Sequence, residues 1–501
     1  MNAGVVLAAG VLGALSWGSR HVSGGRPSVA SGAAARWWHR FRGVGAAQDD
    51  EPAHFARGVE LGPLVVPSAG RGRLVLGTCG RRLVAAESGH SVLVVGPTQS
   101  YKTSGFAVPA ILEWEGPVLA ASVKSDLARH TLSWRRRQGT VWLYDPARST
   151  GLARAPWSPL SSCRDWSAAR RIAHALTESA RPAAGSLTDG DFWYATATKL
   201  LGPLLLAAAT SNRSMVDVVR WIDEQEEDEV AVALTDAGAW SALQAARATW
   251  ARDDRQRSAV YTTAETVVEA FAEDGIEGGA GSPIDPAGLL DGHHTLYLCA
   301  PGHDQRRLRA LFTALAGEVL QAAFRRSTAE GAPLDPPLLV VLDEAANVAP
   351  LAELDTLAAT AAGHGVQLVT VWQDLAQIGA RYGARAGTVM NNHRVKVFLS
   401  GIADLATLEQ ASALVGDTAR SVRSSTVDAR GGRTTAEATE RTRLLPPDAL
   451  RRLRPGNAVA VSGHRSPVRL RLRPWWRDAE LRTRAELQPP AVFDSAPASA
   501  S

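Results

Sequence analysis

Residues Ser91–Thr103 read SVLVVGPTQSYKT, and this stretch determines the fold that we expect. It opens with an apolar, β-branched run that ends in Gly96, a composition typical of a strand buried on both faces of a parallel sheet. From Gly96 to Thr103 the residues match the phosphate-loop pattern G-x-x-x-x-G-K-[ST] except at the sixth position, where Tyr101 replaces glycine. A surface turn that contains Lys-Thr is the alternative, and the flanking strand and helix patterns make it the weaker one.

Such a loop binds nucleotide phosphates through its backbone amides and the following helix N-terminus. Lys102 is expected to reach the terminal phosphates and Thr103 to ligate Mg²⁺, so ATP and Mg²⁺ are the predicted cofactors. At the glycine position Tyr101 incurs a steric penalty for positive φ. Either the loop distorts and ATP binds weakly, or the ring covers the nucleotide or contacts the next subunit. The residues predicted to contact the nucleotide are Gly96, Pro97, Thr98, Gln99, Ser100, Tyr101, Lys102, Thr103 and Ser104.

A second motif, LLVVLDEAANVAPL, places Asp343 and Glu344 directly after a buried apolar run, which is the pattern of a Walker B strand. Asp343 is predicted to hold the Mg²⁺ water shell and Glu344 to act as general base on the attacking water. The strand VQLVTVW ends in Gln373, where a γ-phosphate sensor would lie. Capping of the following helix is the alternative role for Gln373.

Strand-like runs alternate with helical segments around both motifs, which predicts βαβ units and a mostly parallel α/β sheet flanked by helices. From about residue 161 to residue 274 the strand runs vanish and the pattern is helical, so an all-α domain interrupts the sheet. The predicted organisation is a membrane-anchor segment (1–20), a linker (21–58), the first part of a P-loop nucleotide-binding domain (59–160), an all-α insertion (161–285), the second part of that domain (286–477) and a disordered tail (478–501).

The composition of the 501 residues is that of a globular protein, with 45% hydrophobic and 21% charged residues. These values exclude a wholly disordered chain and a polytopic membrane protein. The net charge is +4, but residues 391–477 carry 15 Arg and one Lys against seven acids, a net of 16 − 7 = +9. Within them VRLRLRP (Val468–Pro474) predicts an edge strand with one basic face. That face is suited to DNA phosphates, or it is simply solvated.

The N-terminus contains an uncharged stretch of 15 residues, Ala3–Trp17, which is followed by several arginines. A full membrane span needs roughly 20 apolar residues, so the stretch is short. The positive-inside rule would place the rest of the chain at the cytoplasmic face of the cell membrane. A mis-assigned start or a soluble helix is the alternative.

Taken together, the motifs resemble the TraG/TraD-type coupling proteins of conjugative type IV secretion, which are hexameric P-loop ATPases of the RecA/FtsK-like class. The resemblance covers roughly Val59 to Trp476. It implies a membrane-anchored nucleotide-binding domain, a small all-α domain facing the cytoplasm, a homo-hexameric ring, and DNA, single-stranded and delivered with its relaxase, as substrate. It also implies relaxosome and secretion-channel proteins as partners. The segments that carry it are VLVVGPTQSYKTS, AASVKSDL, Phe192-Trp193, TLYLCAP, LLVVLDEAANVAPLAELDTLAATAAGHGVQLVTVWQDLAQIGARYG, NNHRVKVFLSG and RLLPPDALRRLRPGNAVAVSGHRSPVRLRLRP.

The sequence departs from this family at a second place besides Tyr101. Members often carry an arginine between the Walker B acids and the glutamine strand, and supply it to the nucleotide of a neighbouring subunit. Ala345–Trp372 contains neither Arg nor Lys. Because an arginine finger stabilises charge on the γ-phosphate, its absence should affect rate more than binding. Arg394 is the predicted catalytic substitute and Arg381 the second choice; either is otherwise a solvated surface residue. Lys124, in the AASVKSDL segment, contacts nucleotide or a neighbouring subunit, or else lies in a turn that begins a helix.

Three functions are compatible with these motifs. The first is a membrane-associated, ATP-driven motor that couples single-stranded DNA and attached protein to a conjugative secretion channel. The second is a double-strand DNA translocase. The third is a nucleotide-binding scaffold that docks partners at the channel with weak or no ATPase activity. Tyr101 and the missing arginine favour the scaffold, while the intact Lys102, Asp343 and Gln373 favour a motor.

Overall fold

The computed structural model of the chain describes residues 52–70, 72–181, 190–273, 275–427 and 433–487. The predicted membrane-anchor segment (1–20) and most of the predicted linker lie outside these residues. Among the helices of the described ranges, none has both the length and the apolar character needed to cross a membrane.

A 12-stranded mixed sheet forms the centre of the described structure, and a separate two-stranded sheet accompanies it. Seven neighbouring strands of the large sheet are parallel, in the spatial order β10-β4-β9-β8-β5-β7-β6. The other five extend it antiparallel from β10, in the order β13-β14-β2-β3-β1. The strands are β1 (Val65–Val66), β2 (Val75–Cys79), β3 (Arg82–Ala85), β4 (Val92–Val95), β5 (Val118–Ser122), β6 (Val141–Tyr144), β7 (Thr295–Cys299), β8 (Leu338–Leu342), β9 (Val366–Trp372), β10 (Val395–Leu399), β11 (Asp417–Val427), β12 (Arg433–Arg443), β13 (Asn457–Ser462) and β14 (Val468–Arg471).

Helices connect the parallel strands, because such strands can be joined only by crossover connections. Short 3₁₀ turns add to them, and one π-helical turn, Thr103–Ala107, leads into the first α-helix. The α-helices are α1 (Val108–Glu113), α2 (Asp126–Gln138), α3 (Trp166–Ala180), α4 (Gly190–Thr210), α5 (Met215–Asp223), α6 (Asp228–Asp236), α7 (Trp240–Trp250), α8 (Asp254–Val268), α9 (Gln305–Glu330), α10 (Leu354–Thr360), α11 (Leu375–Tyr382), α12 (Ala386–Asn392), α13 (Leu405–Val415), α14 (Pro447–Arg451) and α15 (Ala479–Ala485).

Both faces of the parallel sheet are covered, as its uninterrupted apolar strands require. Successive side chains of a strand point to opposite faces, and in β4 they enter two different hydrophobic clusters. Leu93 and Val95 belong to one cluster, Val92 and Val94 to the other, and all four are fully buried. The predicted α/β class with a mostly parallel sheet flanked by helices is confirmed.

Between β6 and β7 the described residues contain helices and no strand. The apolar α4 lies at the centre of this region, with Leu200, Leu204 and Leu205 fully buried, and α3 and α8 pack beside it. This helical core is continuous with the sheet, because the same hydrophobic cluster includes Leu93 of β4 and Phe312 of α9. The limits of the predicted insertion, 161 and 285, stay a prediction.

The prediction that VRLRLRP forms an edge strand is wrong. β14 lies inside the sheet, paired with β13 on one side and with β2 on the other, through Arg471 and Thr78. The chain segment that precedes the phosphate loop supplies β1–β3 and thereby occupies the edge. Arg473, predicted to share the basic face, is instead held in ion pairs with Glu113 and Asp478.

The prediction of a disordered tail over residues 478–501 is also wrong for its first part. Residues Ala479–Ala485 form α15, which is capped by Asp478 and buries Leu481 completely. Residues 488–501 of that tail lie outside the described ranges. A further element without a sequence prediction is the exposed ribbon of β11 and β12, two antiparallel strands with paired residues from Asp417–Arg443 to Val427–Arg433.

Candidate nucleotide-binding site

The predicted motifs meet at the carboxyl edge of the parallel sheet. The phosphate loop follows β4, Gln373 follows β9, Asp343 follows β8, and Lys124 lies just after β5. These four strands are neighbours in the order β4-β9-β8-β5, so residues from distant parts of the chain lie side by side. In open α/β sheets, ligands bind outside the carboxyl ends of the strands.

The loop after β4 is tightly folded. Gly96 donates its amide to the carbonyl of Trp372 at 3.0 Å, and a Cβ on Gly96 would lie 2.7 Å from Ser100 Oγ. The same Cβ would lie 2.8 Å from Leu399 Cβ, so any other residue at this position would force the surrounding packing to shift. Two non-glycine residues of the loop have positive φ, Gln99 at 65° and Tyr101 at 67°. Residues held in this region concentrate at functional sites, where the surrounding structure stabilises them.

Tyr101 thus adopts the left-handed conformation for which the pattern normally uses glycine. Its ring packs edge-to-face against Trp476, with the ring centroids 5.8 Å apart. Two glycines leave room for it: a Cβ on Gly105 would lie 3.0 Å from Tyr101 Cβ, and one on Gly456 would lie 3.6 Å from the ring. The ring therefore contacts its own chain.

Lys102 and Asp343 are both buried, at 7% and 3% exposure, and each carries a polar atom without a hydrogen-bond partner among the described residues. Those atoms are Lys102 Nζ and Asp343 Oδ1. Burial lowers the pKa of Lys102, while the carboxylates of Asp343 and Glu344 oppose the shift. Burial likewise raises the pKa of Asp343, and the hydrogen bond from Thr103 opposes it. An anionic phosphate would satisfy the ammonium, and a cation the carboxylate.

The other oxygen of Asp343 fixes the geometry of the site. Oδ2 accepts hydrogen bonds from Thr103 Oγ1 at 2.8 Å and from Ser122 Oγ at 3.3 Å. Thr103 and Asp343 are the two residues predicted to hold Mg²⁺, and they are in direct contact. The described residues contain no group of three or more His, Cys, Asp or Glu able to hold a metal ion. Mg²⁺ in phosphate sites is bound by one or two carboxylates together with the substrate phosphates, so these residues fit it.

Glu344 and Gln373 lie at the same edge. Glu344 is half-buried and has a φ of 64°, a third left-handed residue at this site. The helix after Gln373 is capped by Asp374, whose carboxylate accepts from the amide of Gln377 at 2.9 Å. The capping role considered for Gln373 therefore belongs to its neighbour. The role of Gln373 as a phosphate sensor stays a prediction.

The two predicted substitutes for the arginine finger lie at different places. Arg394 is exposed and directly precedes β10, so it lies at the amino edge of the parallel sheet, opposite the phosphate loop. The structure therefore does not bring it to the other site residues of its own chain. Arg381 lies in α11 at the carboxyl edge, and its guanidinium donates to the carbonyls of Pro350 and Arg181, both at 3.4 Å.

A cavity of about 760 Å³ contains this site. The predicted Lys124 lines it, whereas the predicted Gln373 does not. The remaining lining residues are Val108, Val123, Asp126, His130, Pro455, Trp475 and Trp476. Sequence reasoning missed the last four, and they lie some 30 or several hundred positions from the loop. The pair of tryptophans after a basic strand was the one visible signal, but nothing local connects it to a phosphate loop.

The chain is similar to known proteins of conjugative DNA transfer. A family model described as "Type IV secretory system Conjugative DNA transfer" matches residues 68–498. Two conjugal transfer proteins TraG of Escherichia coli are 24% and 23% identical to the chain over an alignment of 358 residues, which covers 65% of this chain and 55% of each TraG. The chain thus spans about half the length of the curated relatives that it matches.

Solved structures of the bacterial conjugative coupling protein TrwB share the fold. TrwBdeltaN70 in complex with sulphate has a TM-score of 0.64 at 17% identity, covering 84% of this chain and 94% of that one. TrwB in complex with ADP and Mg²⁺ has a TM-score of 0.61 at 17% identity, covering 85% and 94%. The family model covers most of the chain, and its motifs meet at one edge of a sheet of the same fold. The chain therefore belongs to the type IV secretory system conjugative DNA transfer family.

Proposed function

We propose that the chain is a membrane-associated, ATP-dependent coupling protein that drives or docks DNA, or nucleoprotein, at a conjugative type IV secretion channel. Family membership supports the transfer function. The observation that carries the nucleotide part is the contact of Thr103 with Asp343 beside Lys102, because two buried polar atoms there have no partner among the described residues. A desolvated, unpartnered charge is unfavourable in the free protein and suits a bound ligand of opposite charge.

In this proposal the roles follow from position. The ammonium of Lys102 binds the terminal phosphates, and Thr103 with Asp343 holds Mg²⁺, which would neutralise charge on the phosphate oxygens. Glu344 accepts the proton of the attacking water. Gln373, between the two motifs along the edge of the sheet, would contact the terminal phosphate.

The partners are proposals as well. They are DNA, single-stranded and delivered with its relaxase, the relaxosome and secretion-channel proteins, the cytoplasmic face of the cell membrane, and further copies of the chain in a hexamer. Family membership supports the first two, and the apolar residues 3–17 motivate the membrane.

Steady-state ATP hydrolysis with no DNA, with single-stranded DNA and with double-stranded DNA tests the proposal. We expect single-stranded DNA to stimulate turnover, and we expect Glu344→Gln to abolish turnover while retaining nucleotide binding. Stimulation by duplex DNA alone would favour a double-strand translocase. Failure of the wild-type chain to bind Mg-ATP would refute the nucleotide assignment.

A docking scaffold with weak or no ATPase activity is the second candidate. Ala345–Trp372 contains no Arg or Lys, and Arg381 is bonded to two carbonyls. These features favour a site that binds ATP without the arginine that accelerates its hydrolysis. Nucleotide binding without turnover, with or without DNA, would select this candidate.

A further inference from the structure

Two adjacent tryptophans line the same cavity as the phosphate loop. Trp475 and Trp476 follow β14, and the cavity that they border also contacts Lys102 and Asp343. Trp476 is 38% exposed, so its indole is accessible to a ligand in this cavity. An exposed indole beside a phosphate site needs an explanation, because large apolar groups in a cavity usually contact a ligand.

The rings form a connected group. Trp475 lies against His130 with ring centroids 4.4 Å apart at a tilt of 35°, and perpendicular to Trp476 at 5.5 Å. Trp476 in turn contacts Tyr101, the residue immediately before Lys102. We call His130, Trp475 and Trp476 the aromatic shelf. It is in contact with the phosphate loop at Tyr101, and its His130 belongs to α2.

The segment that carries the tryptophans is tightly attached to α1, the helix that follows the phosphate loop. Before them, Arg473 Nη1 donates to Glu113 Oε1 of α1 at 2.6 Å, and its Nη2 donates to Asp478 Oδ2 at 2.8 Å. Both Arg473 and Glu113 have side chains that are about nine-tenths buried, at 11% and 8% exposure. After them, Arg484 donates to the carbonyl of Leu112 at 2.9 Å. The shelf is therefore positioned by contacts on both sides of it.

We propose that the aromatic shelf binds the base of the nucleotide, so that the ligand is a nucleoside triphosphate whose base stacks on these rings. This rests on the proposed nucleotide site and assigns its second half. A phosphate group at Lys102 and an aromatic base on Trp475 or Trp476 would both lie in this one cavity. Bases stack on aromatic side chains through their π-faces, and each such contact contributes substantially to affinity.

Binding of Mg-ATP and of Mg-tripolyphosphate, which lacks the base and ribose, tests this role. The double variant Trp475→Ala/Trp476→Ala should bind Mg-ATP roughly tenfold more weakly and Mg-tripolyphosphate as well as wild type. Trp475→Phe/Trp476→Phe should restore most of the ATP affinity, because phenyl rings also stack. Trp240→Ala is the matched control, since Trp240 is 61% exposed in α7 and lies in a different part of the fold.

The outcomes separate this inference from the proposed function. Unchanged ATP affinity in the double alanine variant would overturn the role of the shelf while leaving the phosphate-site assignment untouched. Equal weakening for both ligands would show that the rings act on the phosphate loop through Tyr101, and would also overturn that role. Loss of oligonucleotide binding with unchanged ATP affinity would assign the rings to DNA and also overturn it. Absence of any Mg-ATP and Mg-tripolyphosphate binding by wild type would refute the phosphate site itself. Trp476→Ala alone, at the more exposed ring, gives the same test if the double variant does not fold.

Discussion

The substitution Lys102→Met should raise the stability of the free protein and abolish its response to nucleotide. Lys102 is 7% exposed, and its ammonium has no hydrogen-bond partner among the described residues. A buried polar group without a partner costs about 1–3 kcal/mol, and more when it is charged. Attraction to Asp343 and Glu344 offsets part of this, but the lowered pKa of Lys102 shows that burial is the larger effect. We therefore expect the free energy of unfolding to increase by about 1 kcal/mol.

Mg-ATP should reverse the order of stability. A ligand at about 100 times its Kd stabilises the native state by about 2.7 kcal/mol. Wild type should gain this amount, whereas Lys102→Met should gain almost nothing and become the less stable protein. Urea denaturation with and without Mg-ATP, at constant protein concentration, measures both quantities.

Lys396→Met is the matched control for this experiment. Lys396 is also partly buried, but its ammonium donates to the carbonyl of His393 at 2.7 Å and it lies on β10. This variant should keep the full stabilisation by Mg-ATP. If Lys102→Met were less stable than wild type without nucleotide, the argument from an uncompensated buried charge would be refuted. If Mg-ATP stabilised it as much as wild type, the phosphate-loop assignment would be refuted instead.

Three further predictions concern other parts of the structure. Tyr101→Gly should change ATP affinity by less than about threefold. The positive φ is already present in the free protein, and its strain of about 1–3 kcal/mol is the same before and after binding. A tenfold gain in affinity, measured by titration calorimetry, would contradict this. Glu344→Gln should reduce single-turnover hydrolysis by about 10²–10⁴-fold, as expected for loss of a general base, and an unchanged rate would exclude that role. Burial raises the pKa of Glu318 to about 7. Between about pH 4.5 and 7 the folded state therefore keeps a proton that the unfolded state has lost. The free energy of unfolding falls as the pH rises through that window. Relative to Glu318→Gln, the free energy of unfolding of the wild type should fall by about 3 kcal/mol between pH 4.5 and 8. Parallel pH profiles of unfolding for the two proteins would argue against the raised pKa.

Much of the candidate nucleotide site could be located from the sequence because its motifs are local. The apolar runs of β4 and β8 have to be strands covered on both faces, and a phosphate loop or an acidic pair directly after such a strand must lie at its carboxyl end. Lys102, Thr103 and Asp343 follow from that rule together with the parallel order of the sheet. The same reasoning does not reach Arg394, because its position before β10 places it at the opposite edge.

Pairing between distant strands could not be predicted in the same way. The alternation in VRLRLRP identifies a strand with two different faces, but it contains no information about neighbours. Whether β14 is an edge strand depends on β2, which lies almost 400 positions earlier and pairs through Thr78 and Arg471. Trp475 and Trp476 belong to the nucleotide cavity for a related reason, since ion pairs of Arg473 attach their segment to α1.

Tyr101 shows which features follow from the amino-acid sequence and which depend on the tertiary structure. The amino-acid sequence alone determines that a tyrosine occupies the glycine position of the loop, and stereochemistry then predicts strain at positive φ. Only the tertiary structure decides how that strain is accommodated. Gly105 and Gly456 leave space for the side chain, and Trp476 packs against its ring. Gly456 and Trp476 are more than 350 positions away along the chain, so no local pattern could place them beside the phosphate loop.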